Sequence, residues 1–426
     1  MTIVAPTKRD STANIIEPNS ESTTRGKTMK HWAMAAVAMA SVGACAIAAS
    51  AAAAGDAPLP PGGAAILSWT PDQQVVGYRN MEKIDPARVI HRGPHVRSLP
   101  VATTQIDPAW RWNGNSFDTA SYMTRMRTSG VIVLKDGRIV LERYGLGRRP
   151  EDRWISFSVA KSVTSTLIGA AIQDGYIKSL DAPVTDYIPE LKGSAYDGVT
   201  IRQLVTMTSG VKWNENYSDP HSDVAQAGNA ILEPGVNPIV SYMRRLPRAD
   251  PPGSKWVYKT GETDLAGILV SNAVGKPLAD YLSEKIWAPF GMEQDAIWVE
   301  DVAGHERGGC CISMTLRDYA RFGQFMLEGG KAGGAQVLPP GWVAEATAKQ
   351  ATPPPDEDAN GYGYFWWLVP GGYAAEGIFG QQVFVYPQDH IVIAINSAWA
   401  RADSPDDWMA QAAFAEALRS AAKASR

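Results

Sequence analysis

The chain has 426 residues, a formal net charge of -4, 45% hydrophobic and 20% charged residues. This is the composition of a globular protein with enough chain to bury a large core, and it excludes wholesale disorder. The absence of any long basic run argues against a nucleic-acid partner, and six histidines without His-Glu-x-x-His spacing argue against a zinc site.

Residues 1–28 are polar and aperiodic and read as a disordered extension. Lys27 and Lys30 then precede an Ala-rich apolar run from Trp32 to Ala54, the form of an export signal peptide, so residues 1–54 are set apart from the fold. Two other readings fit the same run: a signal anchor, or a lipoprotein signal with Cys45 acylated after Val42, Gly43 and Ala44, either of which would associate the protein with a membrane. The localisation expected is periplasmic or secreted. Residues 55–115 are Pro-rich and read as a linker and extended arm, leaving 116–426 as the main domain.

Within that domain a helix is expected over Asp118 to Arg127, then a hairpin over Ser129 to Tyr144 turning at Asp136 and Gly137. In the stretch Trp154 to Gly175 a helix is expected from near Ser158 to Asp174 with Gly175 as its cap, and Thr200 to Gly210 reads as a short helix opened by a Thr200/Gln203 capping box. Helices are expected at Asn237 to Arg245, Asp264 to Val274, Leu278 to Trp287 and Thr315 to Glu328. Strands follow at Tyr362 to Val369, Tyr373 to Glu376, Gln381 to Tyr386 and Ile391 to Ser397, then a closing helix from Ser404 to Lys423. The order implies an α+β body whose antiparallel sheet draws on both ends of the domain, with a helical lobe at about 176–315. Cys310 and Cys311 are neighbours, a spacing that seldom pairs, so no disulfide is expected.

Three places carry chemistry. Ser158 and Lys161 stand three apart and share a helix face, with the hydroxyl at the positive helix end. A serine beside a partly desolvated lysine is a nucleophile that needs no histidine. The bare pattern is common, as Ser420 and Lys423 show, and ordinarily means a helix cap and a solvated lysine. Tyr258, ahead of a helix, would accept the serine proton if nearby cations favoured its anion. Glu376 to Gln382 brings Gly377 and Gly380 to a strand edge where a backbone N–H could bind an oxyanion.

The phrases SFSVAKSVTSTLIGAAIQDG, VTIRQLVTMTSGV, PPGSKWVYKTGETDLAGILV, GGCCISMTLRDYARFGQFML and GIFGQQVFVYP resemble, in order and separation, the serine β-lactamase and penicillin-binding-protein superfamily. The resemblance is to its branch of class C-like esterases and 6-aminohexanoate-dimer hydrolases, over about Ser129 to Ser397. It implies a β-lactamase/transpeptidase-like fold, an antiparallel sheet flanked by helices with a mainly helical lobe. It implies Ser158 as acylated nucleophile, Lys161 as its activator, Tyr258 as general base and then acid, and the N–H groups of Ser158 and Ile378 as oxyanion hole. No metal or organic cofactor is implied.

Two departures from the pattern bear on substrate. Ala375, Glu376 and Gly377 stand where β-lactamases carry Lys-Thr-Gly, removing a cation that would hold a substrate carboxylate. Thr260 replaces a frequent Asn. Trp213, Tyr217, Thr260 and Gly377 are the expected substrate-binding residues. The expected activity is hydrolysis of small carboxylic esters or linear amides by an exported serine hydrolase. The alternatives are a D-amino-acid-specific peptidase or weak β-lactamase, and an inactive cell-wall-binding homologue.

Overall fold

A computed structural model of the chain describes residues 58–227, 233–357 and 360–425; the expected leader, with Cys45, lies outside the described residues. Among the described residues no helix is long and apolar enough to cross a membrane. The principal strands are β1 (Ala87–Ile90), β2 (Thr128–Lys135), β3 (Arg138–Tyr144), β4 (Trp154–Ile155), β5 (Ala296–Val299), β6 (Ile312–Met314), β7 (Trp367–Val369), β8 (Gly372–Gly377), β9 (Gln381–Tyr386) and β10 (Ile391–Ser397). The principal helices are α1 (Val159–Gln173), α2 (Ile201–Val205), α3 (Thr260–Val274), α4 (Leu316–Leu327) and α5 (Pro405–Ala424).

The main sheet is antiparallel, in the order β7-β8-β9-β10-β2-β3, and so joins the two ends of the domain as expected. Its register pairs Ile393 of β10 with Val133 of β2. The Val/Ile run of β2 is buried on both faces, because alternate residues of a strand point to opposite sides. Ile132 and Leu134 join a core with Leu167 of α1 and Phe322 of α4, whereas Val131 and Val133 join another with Phe414 of α5. The hairpin turns where expected, with Asp136 and Gly137 both at positive φ.

A second sheet, in the order β1-β5-β6-β4, is absent from the sequence reading. Its strands are two to four residues long, too short for periodicity to show. Residues 58–118 supply β1, the helix Pro71–Gly77 and the hairpin of Ala109–Trp112 with Asn115–Asp118. β4 leads almost directly into α1, so this small sheet fixes where that helix begins.

Thirteen consecutive residues of α1, Val159 through Ala171, are buried. Its small side chains permit this: a Cβ on Gly169 would stand 2.5 Å from the Trp342 ring. Its hydroxyls are satisfied internally, Ser162 donating to the Phe365 carbonyl and Thr164 to that of Gly308, each at 2.7 Å. α2 opens on the expected capping box. α3 begins at Thr260, four residues before the expected Asp264, with no side-chain cap to announce it.

The expected strand from Tyr362 shrinks to β7. Phe365 adopts a positive φ, and Tyr362, Tyr364 and Trp366 fill the core instead of alternating on a sheet. Cys310 and Cys311, expected to stay apart, are joined in a disulfide, Cys311 taking the positive φ that lets neighbours meet.

Gly323 of α4 faces the main sheet, and a Cβ there would lie 2.5 Å from Cγ1 of Val392 and 2.9 Å from Cγ1 of Val383. Helix propensity would favour alanine by about 0.5–1 kcal/mol, while overpacking costs about 1–3 kcal/mol. Gly323→Ala should therefore lose stability, by about 1–2 kcal/mol, seen as a lower urea midpoint at unchanged slope; a raised midpoint would refute the packing argument.

Candidate active site

β4 ends at Ile155, and α1 begins four residues later at Val159. The intervening turn puts Phe157 at φ 43°, a conformation costly for a bulky residue and characteristic of strained functional turns. Ser156 is spent structurally, its hydroxyl donating to the Phe157 carbonyl and accepting the Ile312 N–H. Ser158 stands at the helix N-cap with its side chain making no capping bond, 8% exposed, on the wall of a pocket.

Lys161 is buried one turn along. Its Nζ lies 2.9 Å from Ser158 Oγ, 2.9 Å from Thr260 Oγ1 and 2.8 Å from the Gly309 carbonyl oxygen. Burial pulls its pKa down to about 8, against the opposing pull of Glu215 and Asp264. Asp264, itself pushed up to about 6 by burial, accepts the Gly309 N–H at 2.8 Å and so steadies the carbonyl that holds Lys161.

Tyr258 meets the same pair: the Ser158 side chain stands near enough to favour its anion, and Lys161 Nζ lies 5.1 Å from its ring centroid. The ring stacks on Trp367 and contacts Trp256 and Tyr362. Burial, then the charge of Glu215, raises the phenol well above its ordinary value. The neutral phenol is thus its resting form, in place of the anion that a neighbouring cation was expected to favour. The segment carrying it is held by a buried ion pair 3.6 Å long, Lys259 with Glu262. Tyr196 and Ser209 also donate to the Glu262 carboxylate.

The end of β8 closes over the nucleophile. A Cβ on Gly377 would lie 2.5 Å from the Ser156 carbonyl oxygen and 2.9 Å from the Ser158 nitrogen, so only glycine admits this approach. Ile378 comes next, on the pocket wall. Among the described residues the N–H groups of Ser158 and Ile378 have no acceptor in the fold, as an oxyanion hole requires. On β8, Ala375 stands where the resemblance pattern has a lysine; Glu376 beside it, where that pattern has a threonine, pairs in register with Gln382 and is pushed up by burial to about 8.

Trp213, Tyr217 and Thr260 all line the pocket, but their polar hydrogens turn away from it toward the Glu215 carboxylate. They therefore offer a substrate mainly apolar surface. Trp366 is a core residue, stacked on Phe322. The second Ser-x-x-Lys is no site: Ser420 bonds Glu416, and Lys423, half exposed, pairs with Asp389. Sequence reasoning passed over Glu215, Asp264 and Gly309. Glu215 lies midway between two aromatic residues already singled out, which was the available signal.

Known proteins share this architecture. The beta-lactamase family matches residues 117–416. A 6-aminohexanoate-dimer hydrolase of Paenarthrobacter ureafaciens is 32% identical over 292 residues, 65% of this chain and 74% of that protein. Esterase EstB of Burkholderia gladioli is 29% identical over 191 residues, 41% of this chain and 48% of the relative. A solved Bacillus anthracis structure, provisionally named a 6-aminohexanoate-dimer hydrolase, superposes with a TM-score of 0.71 at 25% identity, covering 82% of this chain and 94% of the other.

Gly377→Ala should push β8 off the Ser158 amide. Loss of an oxyanion donor typically costs about 10²–10³ in rate, so turnover should fall at least about 100-fold with the melting temperature little changed. Turnover within about threefold of wild type would remove β8 from the site.

Proposed function

The chain belongs to the beta-lactamase family of serine hydrolases, and on that premise we propose that it is an exported enzyme hydrolysing small carboxylic esters or linear amides through an acyl-enzyme on Ser158. The observation carrying this reading is the buried Lys161 amine 2.9 Å from Ser158 Oγ, with the Tyr258 ring 5.1 Å from the same amine. The apolar pocket walls of Trp213 and Tyr217 suit an uncharged acyl chain. Ala375 in place of the lysine leaves no cation there, and the neighbouring Glu376 carboxyl adds none, which disfavours the β-lactamase alternative, whose substrates carry a carboxylate. Export, free or anchored, rests on the apolar run from Trp32 to Ala54.

In the proposed reaction the neutral Lys161 amine takes the Ser158 proton as Oγ attacks the substrate carbonyl. The Ser158 and Ile378 N–H groups hold the oxyanion. The tetrahedral intermediate collapses as the leaving oxygen or nitrogen departs with the Tyr258 phenolic proton, and the Lys161 ammonium returns a proton to Tyr258. Water then attacks the acyl-enzyme by the reverse proton path, releasing the acid and restoring Ser158. Excluding water from Lys161 is what makes this possible, because a solvated ammonium stays charged at neutral pH.

The chain from residue 55 should turn over a chromogenic short-chain ester, and Ser158→Ala should abolish that turnover; equal rates in the two proteins would overturn the nucleophile. Because the working form of Lys161 is the free amine, kcat/KM should fall about tenfold per pH unit below about 8. A flat profile between about pH 6 and 9 would exclude this role for Lys161.

A further inference from the structure

Four hydrogen-bond donors converge on the Glu215 carboxylate. They are the Tyr217 hydroxyl at 2.8 Å, the Thr260 N–H at 3.0 Å, the Thr260 hydroxyl and the Trp213 indole N–H. An ionised carboxylate only accepts, so it suits four donors and no other charge state would. Thr260 has a single hydroxyl proton, and Glu215 takes it. Toward Lys161 the Thr260 oxygen can therefore act only as acceptor.

A neutral lysine amine has two N–H bonds and one lone pair. The Gly309 carbonyl can only accept, so it takes one N–H; Thr260, its own proton committed, takes the other. The lone pair is left facing Ser158 Oγ, the third neighbour. Were the Thr260 proton free to turn, it would bond that lone pair and quench the base. We infer that Glu215 is a positioning residue: through Thr260 it fixes which way the Lys161 amine presents its lone pair, while its bonds to Trp213 and Tyr217 tie the pocket wall to the same carboxylate. The inference rests on Lys161 acting as the base for Ser158.

Around Lys161 the charged and titratable groups are Glu215 of the loop, Asp264 of α3 with Arg307 facing it, and Tyr258. Removing the Glu215 charge takes away a contribution that holds the Lys161 ammonium, so the acidic limb of a rate profile must move to lower pH. Freeing the Thr260 proton must also lower the plateau. A merely structural carboxylate would lower the plateau alone.

The experiment measures the rate of Ser158 labelling by a fluorophosphonate probe from about pH 5.5 to 9.5. In Glu215→Gln the plateau should drop at least about tenfold and the acidic limb should shift down by about half a unit or more. Thr260→Val keeps Glu215, Trp213 and Tyr217 in place and serves if Glu215→Gln fails to fold; it too should lose about tenfold, while Thr260→Ser should stay within about threefold of wild type. Glu215→Gln added to Thr260→Val should cost less than about threefold more, because both act on one link. An unshifted limb in Glu215→Gln, a Thr260→Val protein at the wild-type plateau, or fully additive losses would each overturn the inference. Wild-type protein unlabelled at Ser158 would instead overturn the proposed reaction itself, a separate outcome.

Discussion

Everything in the site depends on keeping one amine dry. Lys161 sits on a helix whose neighbours bury it on every side, and its three polar contacts are all to oxygen atoms of the protein. Desolvation alone would leave a deprotonated amine without direction; the acceptors around it supply the direction. The surrounding architecture is the means of holding those acceptors still. Asp264 pins the Gly309 backbone, Glu215 pins Thr260, and the Lys259–Glu262 pair pins the segment bearing Tyr258.

That arrangement explains why α1 is built of small residues. A helix lying between two sheets and a helical lobe must approach each closely, and Gly169 against Trp342 shows how little room remains. Serine and threonine serve there because their hydroxyls can be satisfied by carbonyls in the packed interior, as Ser162 and Thr164 are. The second sheet delivers the chain to the start of α1 through a turn strained at Phe157, which aims Ser158 at the pocket beneath β8.

The pocket is more apolar than its residue types imply. Trp213, Tyr217 and Thr260 each carry a polar group, yet all three face Glu215. One half-buried carboxylate thereby removes the polarity of a wall and serves the base behind it. Glu376 adds a second carboxyl near Tyr258, where it helps to keep the phenol protonated.

Much of this was legible in the amino-acid order, for local reasons. The Asp136-Gly137 turn, the Thr200/Gln203 capping box and the long apolar strands are set by short-range sterics and hydrogen bonding, so the main sheet and most helices could be placed. Ser158, Lys161 and Tyr258 could be named because their motifs are contiguous, and the structure brings all three together. The second sheet and the early start of α3 at Thr260 could not, since each answers to contacts from distant chain. So it is with protonation: the types of the ionisable groups are written in the sequence, but whether Lys161 is a free amine and Tyr258 a phenol depends on which atoms exclude water and which charges stand nearby. Those distances exist only once the chain has folded.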